Sequence, residues 1–166
     1  IGNPRTDWLY QTEPAAGLNG RSLRYPRGKV LGGCSSINGM IYMRGQSRDY
    51  DQWANITGDD RWRWDHSLPY FQLHEDHHKG ANALHGAKGV KTPLLDAHLP
   101  EASYLHTLRG RGAGGEWRVD QQRLRWEVLD AFAQAAQQAG IPATDDFNRG
   151  NNEGVSYFEV NQKEGW

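Results

Sequence analysis

The chain has 166 residues, with 19 lysines and arginines against 20 aspartates and glutamates. This near-neutral balance provides no basic face, so neither nucleic acid nor anionic lipid is an expected partner. Seven tryptophans, seven tyrosines and four phenylalanines argue against a disordered chain. No apolar stretch approaches the roughly 18 residues of a transmembrane helix. The single cysteine excludes an intrachain disulfide and makes a reducing compartment the simpler setting.

The first predicted segment, residues 1–54, begins with extended, turn-rich chain up to residue 25. A glycine-rich run follows over residues 26–45, with five glycines in twenty residues. Glycine permits positive φ and the close approach of backbone to another group, at an entropic cost. A run of free N–H groups from Gly33 to Ser36 that leads into a helical turn would suit a phosphate. A tight surface turn is the simpler alternative.

A short helix is predicted at the end of this segment. Ser47 is a suitable N-cap, and Asp49 and Asp51 lie in the first turn, where the helix dipole favours negative charge. The loop predicted after this helix covers residues 55–63.

A second helix is predicted within the next segment, residues 55–86. Asp65 can cap it, Pro69 is tolerated near its first turn, and it continues to about His78. Gly80 then ends it.

The last predicted segment, residues 114–166, contains the longest helix, over residues 121–139. Its apolar side chains recur at helical spacing, and Gly140 and Pro142 supply the stop. Short strands are predicted on either side of this helix, over residues 116–119 and 154–161.

A family resemblance is carried by residues 27–39, whose sequence is RGKVLGGCSSING. This run resembles the first signature of the GMC (glucose-methanol-choline) flavin oxidoreductases, and the choline dehydrogenase-like branch is the most similar. The flanking sequences WLYQTEP at residues 8–14 and DYDQWA at residues 49–54 resemble the same family. The resemblance extends over most of the chain, but residues 87–113 depart from it as an insertion or irregular loop.

The resemblance implies an α+β fold that is only part of the FAD-binding GMC fold. The N-terminal Rossmann unit and the C-terminal catalytic part of the family are not found in this sequence. Because the chain begins at Ile1 rather than Met and ends at Trp166 in mid-pattern, we expect an internal piece of a longer protein. The expected location is cytoplasmic, with peripheral attachment at the inner membrane as an alternative.

The function implied by the resemblance is FAD-dependent oxidation of a primary alcohol such as choline, with hydride transfer to the flavin. Ile37 stands where some relatives attach FAD through a histidine, so we expect non-covalent FAD. None of the seven histidines matches the family's acid–base pair, so we assign no catalytic residue and expect the isolated chain to be inactive. The residues expected to contact the flavin are Leu31, Gly32, Gly33, Cys34, Asn38, Gly39 and Ile41.

Two alternatives from other functional classes stay open. The run His74-Glu75-Asp76-His77-His78 fits the His-Glu-x-x-His pattern of zinc hydrolases, which places two imidazoles one turn apart on a helix. Either His85 or Glu101 could supply a third ligand, although a solvated helix face explains the same run. A non-catalytic folded remnant is the other alternative.

Residues 145–150 have the oxygen-rich composition of a calcium loop but neither its spacing nor its terminal glutamate. We interpret them as a turn. Residues 110–115 fit Gly-x-Gly-x-x-Gly but precede a strand, which argues against a dinucleotide site.

Overall fold

The computed structural model describes residues 1–87, 115 and 117–163. The chain forms two compact units, Ile1–Met40 and Ile41–Trp166. The predicted insertion at residues 87–113 lies outside the described part except for Ala87. Of the Gly-x-Gly-x-x-Gly run at residues 110–115, only Gly115 is described. In the described part, the helices are α1 (Ser47–Thr57), α2 (Trp64–His74) and α3 (Glu127–Gln138), and the strands are β1 (Tyr10–Gln11), β2 (Arg24–Tyr25), β3 (Ile41–Tyr42), β4 (Glu75–His77), β5 (Trp117–Gln121) and β6 (Glu159–Val160).

The first unit is built on a short antiparallel ribbon. β1 pairs with β2, which places Tyr10 opposite Tyr25. Nearer the N-terminus, an isolated antiparallel bridge joins Asp7 to Gly28. The extended chain expected before residue 25 therefore pairs with the start of the glycine-rich run.

The second unit contains a four-stranded sheet in the order β3-β6-β5-β4. β4 and β5 are parallel, whereas β6 runs antiparallel to both β5 and β3. Val119 of β5 and Val160 of β6 are buried at the centre of this sheet. Many of the other buried side chains are polar or charged, so this unit is not held by apolar packing alone.

Helix α1 begins one residue earlier than predicted, because Gln46 rather than Ser47 is its N-cap. The Gln46 N–H donates to Asp49 Oδ2 at 2.8 Å as part of a capping box, while the Ser47 hydroxyl donates to the Gly150 carbonyl. The helix also continues to Thr57 into the predicted loop. It therefore crosses residue 54, where the first predicted segment ends.

Helix α2 is shorter than predicted, because it ends at His74 and the next three residues form β4. β4 pairs with β5, so that Glu75 lies opposite Trp117 and His77 opposite Val119. Glu75 and His77 are both buried in this arrangement. Pairing with a strand distant in sequence thus overrides the local helical pattern.

Helix α3 begins six residues later than the predicted 121–139, because β5 extends to Gln121. Gly140, with φ +92°, ends it as expected. Its apolar face is largely uncovered, with Val128 68% and Phe132 67% exposed. In the described part of the chain, no helix is both long and apolar enough to cross a bilayer.

Candidate functional site

The signature loop, residues 27–39, folds as a tight backbone turn with little room for side chains at its base. A Cβ added at Gly28 would collide with the carbonyl oxygen of Gly33. Gly32 and Gly33 have φ values of +87° and +57°, in the left-handed region that favours glycine. A 3-10 turn then spans Gly33–Ser36. The shape of this loop therefore depends on its glycines.

The amide groups expected to face a phosphate are partly used inside the turn. The Gly33 N–H donates to the Val30 carbonyl at 2.9 Å, and the Ser35 N–H donates to the Gly32 carbonyl at 3.2 Å. The Ser35 hydroxyl also donates to the Gly32 carbonyl, at 2.7 Å. The structure thus corrects the expectation of a run of free donors over residues 33–36, because these bonds shape the turn itself.

Other residues predicted to contact a flavin are exposed along the same loop. Leu31 is fully exposed, and Cys34 is an exposed free thiol. The exposed Asn38 accepts the Met40 N–H through Oδ1 at 2.9 Å, so its Nδ2 group is the part of the amide left for another partner. A Cβ at Gly39 would have no atom within 4 Å.

The backbone of the signature loop is also open at Gly33, whose φ is positive. A Cβ there would also have no atom within 4 Å, and bare backbone of this kind permits close approach of a ligand. The loop therefore fits a cofactor that binds along the main chain. Ile41, the remaining predicted flavin contact, begins β3 in the second unit and is 56% exposed.

The second unit holds a buried cluster of charged and polar side chains, the ionic network. At its centre, Arg44 Nη2 lies 2.8 and 2.9 Å from the two carboxylate oxygens of Glu75, and both side chains are 0% exposed. Arg44 Nη1 also donates to the carbonyls of Leu84 and Asn148. Buried charges need such partners. The members of the ionic network are Arg44, Glu75, His77, His78, His85, Asp146, Asn148 and Glu159.

His85 lies between two carboxylates of this network. Its Nδ1 is 3.1 Å from Glu75 Oε2, and its Nε2 is 2.8 Å from Asp146 Oδ2. Burial alone would lower the pKa of His85, but the hydrogen bonds to Asp146 and Glu75 raise it above its usual value. Despite burial, the bonds to His85 hold the pKa values of Glu75 and Asp146 below their ordinary range. A protonated His85 imidazole can donate a hydrogen bond to each of these two carboxylates.

Glu159 contacts two further imidazoles. Its Oε1 lies 2.9 Å from His78 Nε2 and 3.1 Å from His77 Nε2, and the second contact lacks the alignment of a hydrogen bond. Burial opposes ionisation of Glu159, but His77 and His78 lower its pKa to about 2. His77 Nδ1 accepts the Lys79 N–H at 3.2 Å, so the proton of a neutral His77 ring is on Nε2.

A protein-family model described as GMC oxidoreductase matches residues 7–166, nearly the whole chain. The chain belongs to the GMC oxidoreductase family. The matched range includes residues 87–113, whose role as an insertion stays a prediction.

Curated GMC relatives include two choline dehydrogenases. The chain is 36% identical to human mitochondrial choline dehydrogenase over 161 residues, which are 97% of this chain and 23% of the human protein. It is also 36% identical to the oxygen-dependent choline dehydrogenase of Photobacterium profundum, over 95% of this chain and 23% of that protein. The chain therefore spans less than a quarter of the length of these relatives.

Solved structures support the same assignment. Pyridoxine 4-oxidase from Mesorbium loti superposes with a TM-score of 0.75 at 31% identity, over 96% of this chain and 26% of that one. An FAD-dependent oxidoreductase from Chaetomium thermophilum gives a TM-score of 0.65 at 26% identity, over 98% of this chain and 27% of that one. The predicted family resemblance and the α+β fold, as part of the GMC fold, are confirmed, and FAD is supported as the cofactor.

The zinc-hydrolase alternative is wrong in its structural premise. His74 and His78 would need to lie one turn apart on a helix, but α2 ends at His74 and β4 follows. His74 is exposed, whereas His78 belongs to the buried network. Of the two candidate third ligands, His85 is bound by carboxylates on both ring nitrogens, and Glu101 lies outside the described residues.

Two groups within the ionic network do bring three possible metal ligands together, and both contain His77. The proton on His77 Nε2 opposes coordination through that atom. The Lys79 ammonium, 4.0 Å from Glu159 Oε1, already supplies a positive charge there. We therefore interpret the network as hydrogen-bonded ion pairs.

Sequence reasoning does not find the ionic network, although residues 145–150 give one signal for it. The turn predicted there contains two buried side chains, Asp146 and Asn148. Asn148 Oδ1 accepts the Arg44 N–H at 2.7 Å, and its Nδ2 donates to Glu159 Oε2 at 3.2 Å. The side-chain oxygen atoms of this run therefore accept hydrogen bonds from buried protein groups rather than coordinate a calcium ion.

Proposed function

We propose that this chain is the flavin-contacting part of an FAD-dependent alcohol dehydrogenase similar to choline dehydrogenase. In this proposal the signature loop lies along the cofactor and the ionic network holds the second unit in shape. The relatives named choline dehydrogenase support a small primary alcohol such as choline as the substrate. The residues proposed to contact the flavin are Leu31, Gly32, Gly33, Cys34, Asn38, Gly39 and Ile41.

The observation that carries this proposal is the open backbone at Gly33. Its φ of +57° and the empty space around it let a ligand reach the main chain where any larger residue would be strained. Asn38 contributes a side-chain donor, because its Oδ1 is occupied by the Met40 N–H. Both features lie in the run that resembles the family signature.

When bound, FAD supplies the hydride acceptor for alcohol oxidation. The part played by this chain is to bind and orient the cofactor through the signature loop. Its buried histidines are held by carboxylates, as His85 is by Glu75 and Asp146. They support structure in this proposal, and the proton-accepting base is assigned to residues outside this chain. Non-covalent binding and a cytoplasmic location stay predictions.

The test is an FAD titration of the purified 166-residue chain, followed by flavin fluorescence and thermal shift. Weak but saturable binding is expected of the isolated chain, with affinity about tenfold weaker still in Asn38→Ala, as loss of one hydrogen bond implies. Gly33→Val should abolish binding through backbone strain and bulk. Asn55→Ala, at an exposed site on α1, and Gly17→Val, at an open glycine outside the loop, are the matched controls.

Two outcomes would contradict the proposal. A folded chain that ignores FAD would favour the folded-remnant alternative for the isolated segment. Choline oxidation by the isolated chain would show that catalytic groups are present here after all.

A further inference from the structure

The Asp7 side chain occupies an unusual position in the first unit. It is only 3% exposed, and its carboxylate accepts three backbone N–H groups. Oδ2 accepts from Gly2 at 2.8 Å, while Oδ1 accepts from Leu9 at 3.0 Å and from Arg27 at 3.2 Å. The bonds from Gly2 and Leu9, the two largest causes, hold the pKa of Asp7 below its ordinary value. One ionised side chain therefore connects the N-terminus to the start of the signature loop.

The two carboxylate oxygens of Asp7 accept hydrogen bonds from different parts of the chain. Oδ2 accepts a hydrogen bond only from the N–H of Gly2, near the N-terminus, whereas Oδ1 accepts from the N–H groups of both Leu9 and Arg27. Leu9 has a φ of +55°, which is uncommon for a residue other than glycine and costs energy unless neighbouring contacts hold it. The Oδ1 contact is such a restraint.

Backbone contacts carry this restraint into the signature loop. The Trp8 N–H donates to the Arg27 carbonyl at 3.0 Å, and Asp7 bridges to Gly28. Gly28 in turn packs against the carbonyl of Gly33, where no Cβ could be accommodated. A continuous path of contacts thus leads from Asp7 Oδ1 to the open backbone at Gly33.

We propose that Asp7 is a positioning residue for the signature loop, acting through Oδ1 on Arg27 and thereby on the backbone conformation at Gly28 and Gly33. This inference rests on the proposed function for its consequence, because the backbone so positioned is the part assigned to FAD. The role of Asp7 in shaping the loop can be measured without any cofactor.

The test compares Asp7→Ala, Asp7→Asn and the control Glu13→Gln, an exposed charge removal in the same unit. Amide hydrogen exchange by NMR is the first readout. Asp7→Ala should speed exchange at Leu9 and Arg27 about tenfold, as loss of a hydrogen bond implies, with Val119 in the second unit unchanged. Asp7→Asn keeps one acceptor oxygen, so protection at Leu9 and Arg27 should persist while Gly2 loses its partner.

FAD affinity of the same variants is the second readout. We expect Asp7→Ala to weaken binding about tenfold, Asp7→Asn to restore most of the affinity, and Glu13→Gln to match the unchanged chain. A purely structural role would instead lower the thermal stability of both Asp7 variants and leave the flavin spectrum and affinity as they were.

Unchanged exchange at Arg27 in Asp7→Ala would overturn the positioning role. Faster exchange with unchanged FAD affinity would overturn its link to the cofactor. If the unchanged chain binds no FAD, the proposed function fails for the isolated chain, while the exchange data still decide the role of Asp7. If Asp7→Ala unfolds the first unit, Asp7→Asn decides, since loss of protection at both Leu9 and Arg27 would contradict the assignment to Oδ1.

Discussion

The two units of this chain achieve order by different means. In the first unit, main-chain hydrogen bonds and one carboxylate fix a loop whose shape depends on glycine conformation, and aromatic side chains such as Trp8 and Tyr25 stay half exposed. In the second unit, a fully buried pair of opposite charges, Arg44 and Glu75, joins the other members of the ionic network. Substitution of its glycines should therefore damage the first unit most, whereas changes of charge and pH should have their largest effect on the second.

The largest expected effect is on the charge pair of the second unit. Glu75→Gln leaves the Arg44 guanidinium buried without a counter-charge and removes one carboxylate from His85. The expected cost is about 3–5 kcal/mol of unfolding free energy, as for other broken buried pairs. Urea denaturation followed by tryptophan fluorescence measures it.

The double variant Arg44→Met/Glu75→Met should recover part of this loss, because no unpaired charge is then buried. Asp60→Asn, which breaks an exposed contact with Arg63, should leave the urea midpoint unchanged. A loss for Glu75→Gln of less than about 1 kcal/mol, the usual value of an exposed ion pair, would contradict the central role of this pair.

A smaller effect is expected in the first unit from Gly28→Ala. The new methyl group would strike the Gly33 carbonyl, and overpacking of this kind typically costs about 1–3 kcal/mol. The first unit should lose protection in hydrogen exchange while Val119 keeps its protection. Gly17→Ala, where a Cβ meets no atom within 4 Å, is the control, and equal exchange in the two variants would show that the base of the loop is not tightly packed.

The smallest and most gradual effect is the pH dependence of the second unit. The folded pKa of His85 lies above its unfolded value, so His85 contributes stability below about pH 6.5, which is lost as the pH rises through the folded pKa. Asp146 and Glu159 have lowered pKa values, so their contribution is present above about pH 4 and lost as the pH falls.

Stability of the second unit should therefore be greatest between about pH 4 and pH 6.5, as measured by urea midpoints across the pH range. His85→Gln should remove the decline on the alkaline side and reduce the decline on the acidic side to the part that Glu159 contributes, because the bond to His85 also lowers the pKa of Asp146. An alkaline decline that persists in His85→Gln would assign it to another group.

Sequence patterns predict those features of this molecule whose conformation is set by residues adjacent in the sequence. The stop at Gly140 and the glycine-dependent turn at Gly32 and Gly33 follow from local backbone preferences, and the structure has both. The flavin contacts rest on resemblance and stay a proposal. The strand Glu75–His77 is not predictable locally, because its pairing with β5 opposes a helical pattern.

The ionic network is hidden from sequence reasoning for a related reason. Charged residues usually mark solvated surface, and nothing near Arg44 in the sequence shows that Glu75 is its partner. The same limit affects α3, whose apolar periodicity suggests a buried face although Phe132 is largely exposed. Periodicity shows which side of a helix is apolar, but not whether this chain covers it.

The hydrogen bond between Arg44 and Asn148 has a consequence for the order of folding. It joins residues 104 positions apart, whereas the Asp7–Arg27 contact spans 20. Long loops cost more entropy to close, and contacts distant in sequence slow folding. During synthesis the first unit can form once its own residues have emerged, whereas Arg44 cannot bond to Asn148 until residue 148 has been added. Until then the guanidinium has no complete set of partners, so the second unit is the part most exposed to misfolding as the chain is made.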